Sequence, residues 1–169
     1  VNHAEFSPDG RLLVTASADR SAWIWNAATG KPVHGPLLHH GIVNWAFFNP
    51  DGCQVHTASE DHTARVWEAE TGKEIARMTH DWNVVSAAFS PDSKLVAASS
   101  GRVIKLFNTK LRKEVFALTG HDEAPYSVSF SPDGKSIVST YGNGHILLWD
   151  LKGKIIRKMS FKSASSHYT

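Results

Sequence analysis

The sequence predicts an all-β protein built from four copies of one structural unit, and three observations support this. A pentapeptide, Phe-Ser/Asn-Pro-Asp-Gly/Ser, recurs four times, beginning at Phe6, Phe48, Phe89 and Phe130. A second aromatic marker follows each one after 18 or 19 positions, at Trp25, Trp67, Phe107 and Trp149. Short runs of β-branched and aromatic residues lie between these markers, which is typical of strands.

The second copy shows how one unit is built. Residues 43–48, 54–59, 63–68 and 73–78 each have the alternation or the composition of a strand. Asn49-Pro50-Asp51-Gly52 separates the first two strands with residues that favour turns, because Pro fixes φ and Gly tolerates a positive φ. Four short antiparallel strands in about 40 residues form one blade of a β-propeller.

Composition narrows the classes of partner. The 169 residues are 41% hydrophobic and 20% charged, as in a folded soluble protein. No apolar run approaches the ~20 residues that cross a bilayer, so no membrane partner is expected. The formal net charge of +2 gives no reason to expect nucleic acid.

Cys53 is the only cysteine, which excludes an internal disulfide. A cytoplasmic location is favoured, since the chain begins without a signal-peptide pattern.

The repeats resemble the WD-repeat family, and the resemblance covers residues 1 to about 160. The family's Trp-Asp pair is intact at Trp149-Asp150, and its Gly-His pair is intact at Gly120-His121. Following the strands gives four blades, at about 1–38, 39–79, 80–119 and 120–160, and a tail at 161–169. The absence of an initial Met suggests a piece of a longer protein.

Four whole blades leave one apolar face on blade one and one on blade four without a partner. We expect a second copy of the chain to cover both faces, so that a homodimer closes a ring of eight blades. Two alternatives are open. A longer protein could carry the missing blades, or the chain could close alone as a tight four-bladed ring, which would require small residues near the axis.

The resemblance also implies a hydrogen-bonded set of His, Ser or Thr, Asp and Trp in each unit. The matching residues are His39, Ser59, Asp61 and Trp67 in the second repeat, Ser17, Asp19 and Trp25 in the first, His80 and Ser99 in the third, and His121, Tyr141 and Trp149 in the fourth. A hydrolase triad is the alternative reading. Because the set recurs with erosion, it is expected to be structural, with no catalytic residue, metal or cofactor.

Members of this family usually bind partners on the face formed by the loops before strand one and between strands two and three. The candidate binding residues in those loops are Trp82, Tyr126, Asp81, Asp122, Glu60, His62 and Arg20. Trp and Tyr are the residue types that anchor interfaces. The alternative for Trp82 is packing onto the next blade. The basic C-terminal residues, including Lys162, are expected to prevent edge-to-edge association, with nucleic-acid binding as the alternative.

The predicted function is a non-enzymatic scaffold that binds protein or peptide partners through this face. Two alternatives are kept: a repeat-assembly module with no independent activity, and a regulatory or recruitment domain of a larger multidomain enzyme.

Overall fold

The computed structural model describes residues 1–160, and the regular elements in that range are sixteen β-strands. They form four antiparallel sheets of four strands in sequential order. Blade one contains β1 (His3–Phe6), β2 (Leu12–Ala16), β3 (Ser21–Asn26) and β4 (Pro32–Leu38). Blade two contains β5 (Val43–Phe48), β6 (Gln54–Ser59), β7 (Thr63–Glu68) and β8 (Glu74–Thr79). Blade three contains β9 (Val84–Phe89), β10 (Leu95–Ser100), β11 (Val103–Asn108) and β12 (Lys113–Leu118). Blade four contains β13 (Pro125–Phe130), β14 (Ser136–Tyr141), β15 (His145–Asp150) and β16 (Ile155–Ser160).

The predicted all-β fold with four-stranded antiparallel blades is confirmed. In blade two, the first three strands have the predicted bounds, and the fourth begins one residue later, at Glu74. Among the described residues there is no helix that is long and apolar enough to cross a membrane.

The recurrent pentapeptide forms the turn between the first two strands. In blade one the Ser7 hydroxyl donates to the Asp9 carboxylate at 2.7 Å and accepts the Leu12 amide at 2.9 Å. Gly10 adopts a φ of 72°, in the left-handed region that favours glycine. Ser93 takes the same place in blade three with a φ of 59°. The pentapeptide is therefore a self-contained turn that aligns the first strand with the second in each blade.

Hydrophobic cores lie between successive blades. Val14 and Ile24 of blade one pack with Val55 and Trp67 of blade two, and the same arrangement joins blades two and three and blades three and four. One flank of each sheet faces the preceding blade and the other faces the next, as the alternation of side chains across a strand requires. Each inner blade is thereby covered on both flanks.

The flank of blade one that has no preceding blade is exposed. Phe6, the leading residue of its pentapeptide, is 61% exposed, whereas Phe48 at the same position of blade two is only 6% exposed. Phe6, Leu13, Thr15 and Trp25 line a depression of about 290 Å³ on this flank. We call this surface the leading flank.

The flank of blade four that has no following blade is also open. Ile146 and Leu148 on β15 are half-buried, although their counterparts Ala64 and Val66 in blade two are completely buried. We call this surface the trailing flank. Within residues 1–160, the strands of blade four form no packed interface with those of blade one. The predicted tail at 161–169, including Lys162, lies outside the described residues.

Candidate functional site

Blade two contains a continuous chain of hydrogen bonds that begins at its tryptophan. The Trp67 indole N–H donates to the Thr57 hydroxyl at 2.9 Å. That hydroxyl contacts His39 Nε2 at 2.7 Å, and His39 Nδ1 contacts the Asp61 carboxylate at 2.9 Å. Because the indole is donor-only, the Thr57 proton goes on to Nε2 and the His39 proton goes to Asp61. Every member is satisfied with His39 neutral. We call this chain the relay.

The bridging hydroxyl belongs to Thr57, so the prediction of Ser59 for this position is wrong. Both residues lie on the same side of β6, because side chains two apart share a face. Val55 pairs with Trp67 across β6 and β7, which leaves Thr57 next along the strand and within reach of the indole. Ser59 instead donates to the Gly41 carbonyl at 3.2 Å and accepts the Asp61 amide at 3.1 Å. Ser59 therefore shapes the turn.

A buried arginine extends the relay, and the sequence reading missed it. Arg65 donates to the Asp61 carboxylate at 2.9 Å and to the Leu38 carbonyl at 2.9 Å. The Thr63 hydroxyl donates to Asp61 at 2.6 Å and accepts from Arg65 Nε at 3.0 Å. The side chain of Arg65 is only 5% exposed, and its charge is compensated by Asp61 at 2.9 Å and by Glu74 at 3.3 Å. The pattern of polar and apolar residues along β7 does not predict that Arg65 is buried.

Electrostatics support a neutral His39. Burial, followed by the charge of Arg65, lowers the pKa of His39 to about 4, although Asp61 acts in the opposite sense. Burial by itself would raise the pKa of Asp61. Hydrogen bonds from the Thr63 hydroxyl and the His40 amide outweigh it, so the pKa of Asp61 lies well below its usual range. At neutral pH the relay therefore holds a neutral imidazole and an ionised carboxylate.

Blades one and four show that the hydroxyl position is general. Trp25 donates to Thr15 at 2.9 Å, and Trp149 donates to Ser139 at 2.8 Å. The predictions of Ser17 and Tyr141 for this position are therefore wrong by two residues, as for Ser59. Ser17 accepts the amide of Asp19 at 3.3 Å in its turn. The Tyr141 hydroxyl accepts a hydrogen bond from Ser139 at 3.0 Å.

Blade three has lost the relay except for its histidine. Val96 pairs with Phe107, so the residue at the Thr57 position is Ala98. Ser99, the predicted hydroxyl, lies on the other face of β10 and donates to the Ser86 carbonyl at 3.2 Å. His80 is buried, and neither of its ring nitrogens has a hydrogen-bond partner among the described residues. Burial, followed by the charge of Lys105, lowers the pKa of His80 to about 4.

A cleft of about 810 Å³ opens beside His80 on the loop face, between blades three and four. Trp82 and Tyr126 line it and are 67% and 65% exposed. Each ring lies on a glycine of its own blade. A Cβ at Gly101 would lie 2.6 Å from Trp82 Cδ1, and one at Gly142 would lie 2.9 Å from Tyr126 Cε2. Both aromatic rings thus contact the backbone of their own blade while they remain open to solvent.

The cleft brings together four of the seven candidate binding residues. Asp81 and Asp122 line it with Trp82 and Tyr126. Glu60, His62 and Arg20 belong to the β6–β7 and β2–β3 turns and do not line it. Trp82 contacts Gly101 of its own blade and is 67% exposed.

The fold and these turns define a class of protein, the repeat proteins assembled from four-stranded β-blades. Comparison with known families identifies the repeat. A family model described as "WD domain, G-beta repeat" matches residues 1–26, 30–68, 72–108 and 112–150. The chain belongs to the WD-repeat family, as the resemblance in its sequence predicts.

Three relatives show how far the similarity extends. The chain is 29% identical to Pre-mRNA-processing factor 19 homolog 2 of Arabidopsis thaliana, over 99% of this chain and 33% of that protein. It is 29% identical to Target of rapamycin complex subunit wat1 of Schizosaccharomyces pombe, over 46% of this chain and 26% of that protein. It is 40% identical to Lissencephaly-1 homolog 1 of Paramecium tetraurelia, over 34% of this chain and 14% of that protein. The chain thus spans a third or less of each of these relatives.

Proposed function

We propose that this chain is a non-enzymatic interaction scaffold that binds a protein or peptide partner through its loop face. WD repeats support a scaffold, and so do two relatives, one named as a processing factor and one as a complex subunit. The set of His39, Asp61 and Thr57 does not suggest catalysis, because its members hold one another and are buried.

One observation carries the proposal: Trp82 and Tyr126 are exposed in the same cleft and held against glycines. A large aromatic side chain that is ordered before binding loses little conformational entropy when it is covered. Aromatic residues of this kind supply most of the energy of many interfaces. The cleft between blades three and four is accordingly the proposed partner site.

Affinity capture with variants tests the loop face. The immobilised chain is compared with a Trp82→Ala, Tyr126→Ala double variant and with Leu111→Ala as the matched control. Leu111 is an exposed apolar residue in the β11–β12 turn, at the opposite end of the strands. A partner identified by mass spectrometry should bind the double variant at least ~30-fold more weakly, as loss of interface hot spots implies. Unchanged affinity of the double variant would overturn the loop-face proposal.

We also propose that two isolated copies of this chain associate, the leading flank of each covering the trailing flank of the other. Each internal junction already joins these two kinds of flank, so the same packing repeated between copies would close eight blades with twofold symmetry. The exposure of Phe6, against the burial of Phe48, supports this arrangement.

Mass in solution tests the assembly. Residues 1–169 should give twice the 18.6 kDa of one chain in light scattering. Phe6→Glu should return the chain to a monomer, because it places a charge in an apolar junction. Leu111→Glu should leave the dimer intact. If the unsubstituted chain is a monomer, the proposed dimer is wrong. That result would favour the remaining alternative, in which further blades or a larger multidomain protein cover the flanks.

A further inference from the structure

The turn between strands two and three is shorter in blade three than in blade two. In blade two, Glu60, Asp61 and His62 connect Ser59 to Thr63. In blade three, Ser100 pairs directly with Val103, so that only two residues remain in the turn. The shorter turn has no counterpart of Asp61, which is the carboxylate that His39 contacts in blade two. The large cleft lies at this point of blade three.

Two of the groups that contact Asp61 in blade two, His39 and Arg65, have counterparts in the cleft, whereas Val103 stands in the place of Thr63. His80 corresponds to His39, and its buried imidazole lines the cleft without a hydrogen-bond partner in residues 1–160. Lys105 corresponds to Arg65, since it pairs with Ala98 as Arg65 pairs with Thr57. A buried imidazole that the fold leaves unsatisfied costs free energy. His56 is also unsatisfied but is enclosed between Phe47 and Phe89, whereas His80 lines the cleft, where a ligand would satisfy it.

The nature of the ligand follows from the same comparison. A neutral imidazole offers one N–H, and Lys105 offers a charged ammonium group that lies 3.4 Å from Glu114 and donates to the Thr79 carbonyl at 3.3 Å. Arg102 adds an exposed guanidinium from the short turn. All three are donors, and the group that such donors hold in blade two is a carboxylate. This set of donors thus suits a carboxylate.

The rim of the cleft carries the opposite charge. Asp81, Asp122 and Glu123 line it, and Glu123 accepts the amide of Asn143 at 3.2 Å. Acidic groups at the mouth would repel a uniformly acidic ligand. They would attract a basic residue adjacent to the carboxylate that enters. The charge pattern therefore matches a segment in which acidic and basic residues alternate, flanked by the rings of Trp82 and Tyr126.

We propose that this cleft binds an Asp or Glu side chain of a protein partner, whose carboxylate takes the place in blade three that Asp61 holds in blade two. A basic neighbour in the partner pairs with the rim acids. This inference rests on the proposed loop-face function, and it adds the chemistry of the residue that is recognised.

The test uses two terminally blocked tripeptides, Lys-Asp-Lys and its amide analogue Lys-Asn-Lys. They are titrated into the ¹⁵N-labelled chain while the ring signals of His80 and the indole signal of Trp82 are followed. A charge-assisted hydrogen bond should make the Asp peptide at least ~10-fold tighter than the Asn peptide. The His39 signals serve as an internal control and should not move, because Asp61 already occupies that site.

Two variants locate the preference for Asp. His80→Phe should abolish it without loss of folding, since it replaces an unsatisfied buried imidazole by an apolar ring. Lys105→Met should reduce the preference for the Asp peptide, and it tests the site without changing His80. Equal binding of the two peptides, or an unchanged preference in both variants, would overturn the proposal. Equal shifts with inorganic phosphate would indicate a general anion site and would also overturn it. If Trp82 and Tyr126 are still needed for partner capture, the loop-face function survives that result.

Discussion

Blades two and three match the same repeat, yet their histidines lie in opposite environments. His39 uses both ring nitrogens within the relay, whereas His80 uses neither among the described residues. The other members of the relay disappear together in blade three: Ala98 replaces the threonine, Phe107 replaces the tryptophan, and the shorter turn removes the aspartate. A half-satisfied buried network is costlier than an apolar one, which explains why the losses are coupled. His80 is the one member that blade three retains, and its ring nitrogens have no partner among the described residues.

Blade four shows a third solution. Ser139 accepts the Trp149 indole N–H and donates to the Tyr141 hydroxyl at 3.0 Å. The tyrosine hydroxyl therefore occupies the place of His39 Nε2, and His121 is displaced to stack on the Tyr141 ring at 3.6 Å. The blade retains a satisfied hydroxyl without a histidine relay. Erosion of the repeat is thus compensated in blade four, while in blade three it leaves an open cleft.

The largest expected effect on stability comes from removing the carboxylate that blade two has and blade three lacks. Asp61→Ala should lower the free energy of unfolding by about 3 kcal/mol, because it leaves the buried charge of Arg65 with Glu74, at 3.3 Å, as its remaining carboxylate partner among the described residues. Asp19→Ala is the matched control. Asp19 has the same turn position in blade one but is exposed, and it should cost about 1 kcal/mol. Urea denaturation measures both.

A similar loss in both variants would show that Asp61 matters only as a turn residue. The difference between blades two and three would then have little energetic consequence.

The sequence predicted the architecture well, because the repeated turns and aromatic markers fix strand order and blade number locally. It failed at the bridging hydroxyl, where Ser59 and Thr57 share one face of β6 and only the pairing of Val55 with Trp67 separates them. It also gave no indication of Arg65, since a charged residue on a strand is usually exposed. The deletion in blade three is visible in the sequence. The cleft that it produces depends on how blades three and four pack.

Low pH should destabilise the folded chain through three buried histidines. Burial lowers the pKa of His56 to about 3, while the pKa values of His39 and His80 fall to about 4. Below pH 6.5 the unfolded chain binds protons at these positions and the folded chain does not. Stability is therefore fully present above pH 6.5 and is lost as the pH falls towards 4. Each histidine should contribute about 1.4 kcal/mol per pH unit in that window.

His56→Leu separates these contributions. His56 lies between Phe47 and Phe89, at the junction of blades two and three, with both ring nitrogens unpaired in the described part of the chain. Its replacement should reduce the slope of unfolding free energy against pH by about 1.4 kcal/mol per unit between pH 6 and 4.5. Asp61 does not interfere, because its contribution is lost only below the ordinary aspartate pKa. A slope equal to that of the unsubstituted chain would contradict the assignment.

The smallest effect lies in the turn whose length distinguishes the two blades. The longer turn of blade two places His62 at a φ of 65°, where its carbonyl accepts the His80 amide at 2.8 Å. Gly144 holds the corresponding place in blade four with a φ of 78°. A residue with a Cβ at a positive φ destabilises the folded chain by about 1–2 kcal/mol. Glycine avoids this cost, but its greater backbone freedom in the unfolded chain offsets part of the stabilisation. His62→Gly should therefore be more stable than His62→Ala by about 0.5 kcal/mol.

The matched pair at Glu60, in the same turn, should show the opposite order. Glu60 does not have a positive φ, so glycine there brings only its entropic cost, and Glu60→Ala should be more stable than Glu60→Gly. Thermal unfolding of the four variants measures both differences. If alanine is preferred at both positions, the longer turn of blade two is not strained at His62. Deletion in blade three would then have removed the carboxylate without relieving any strain in the backbone.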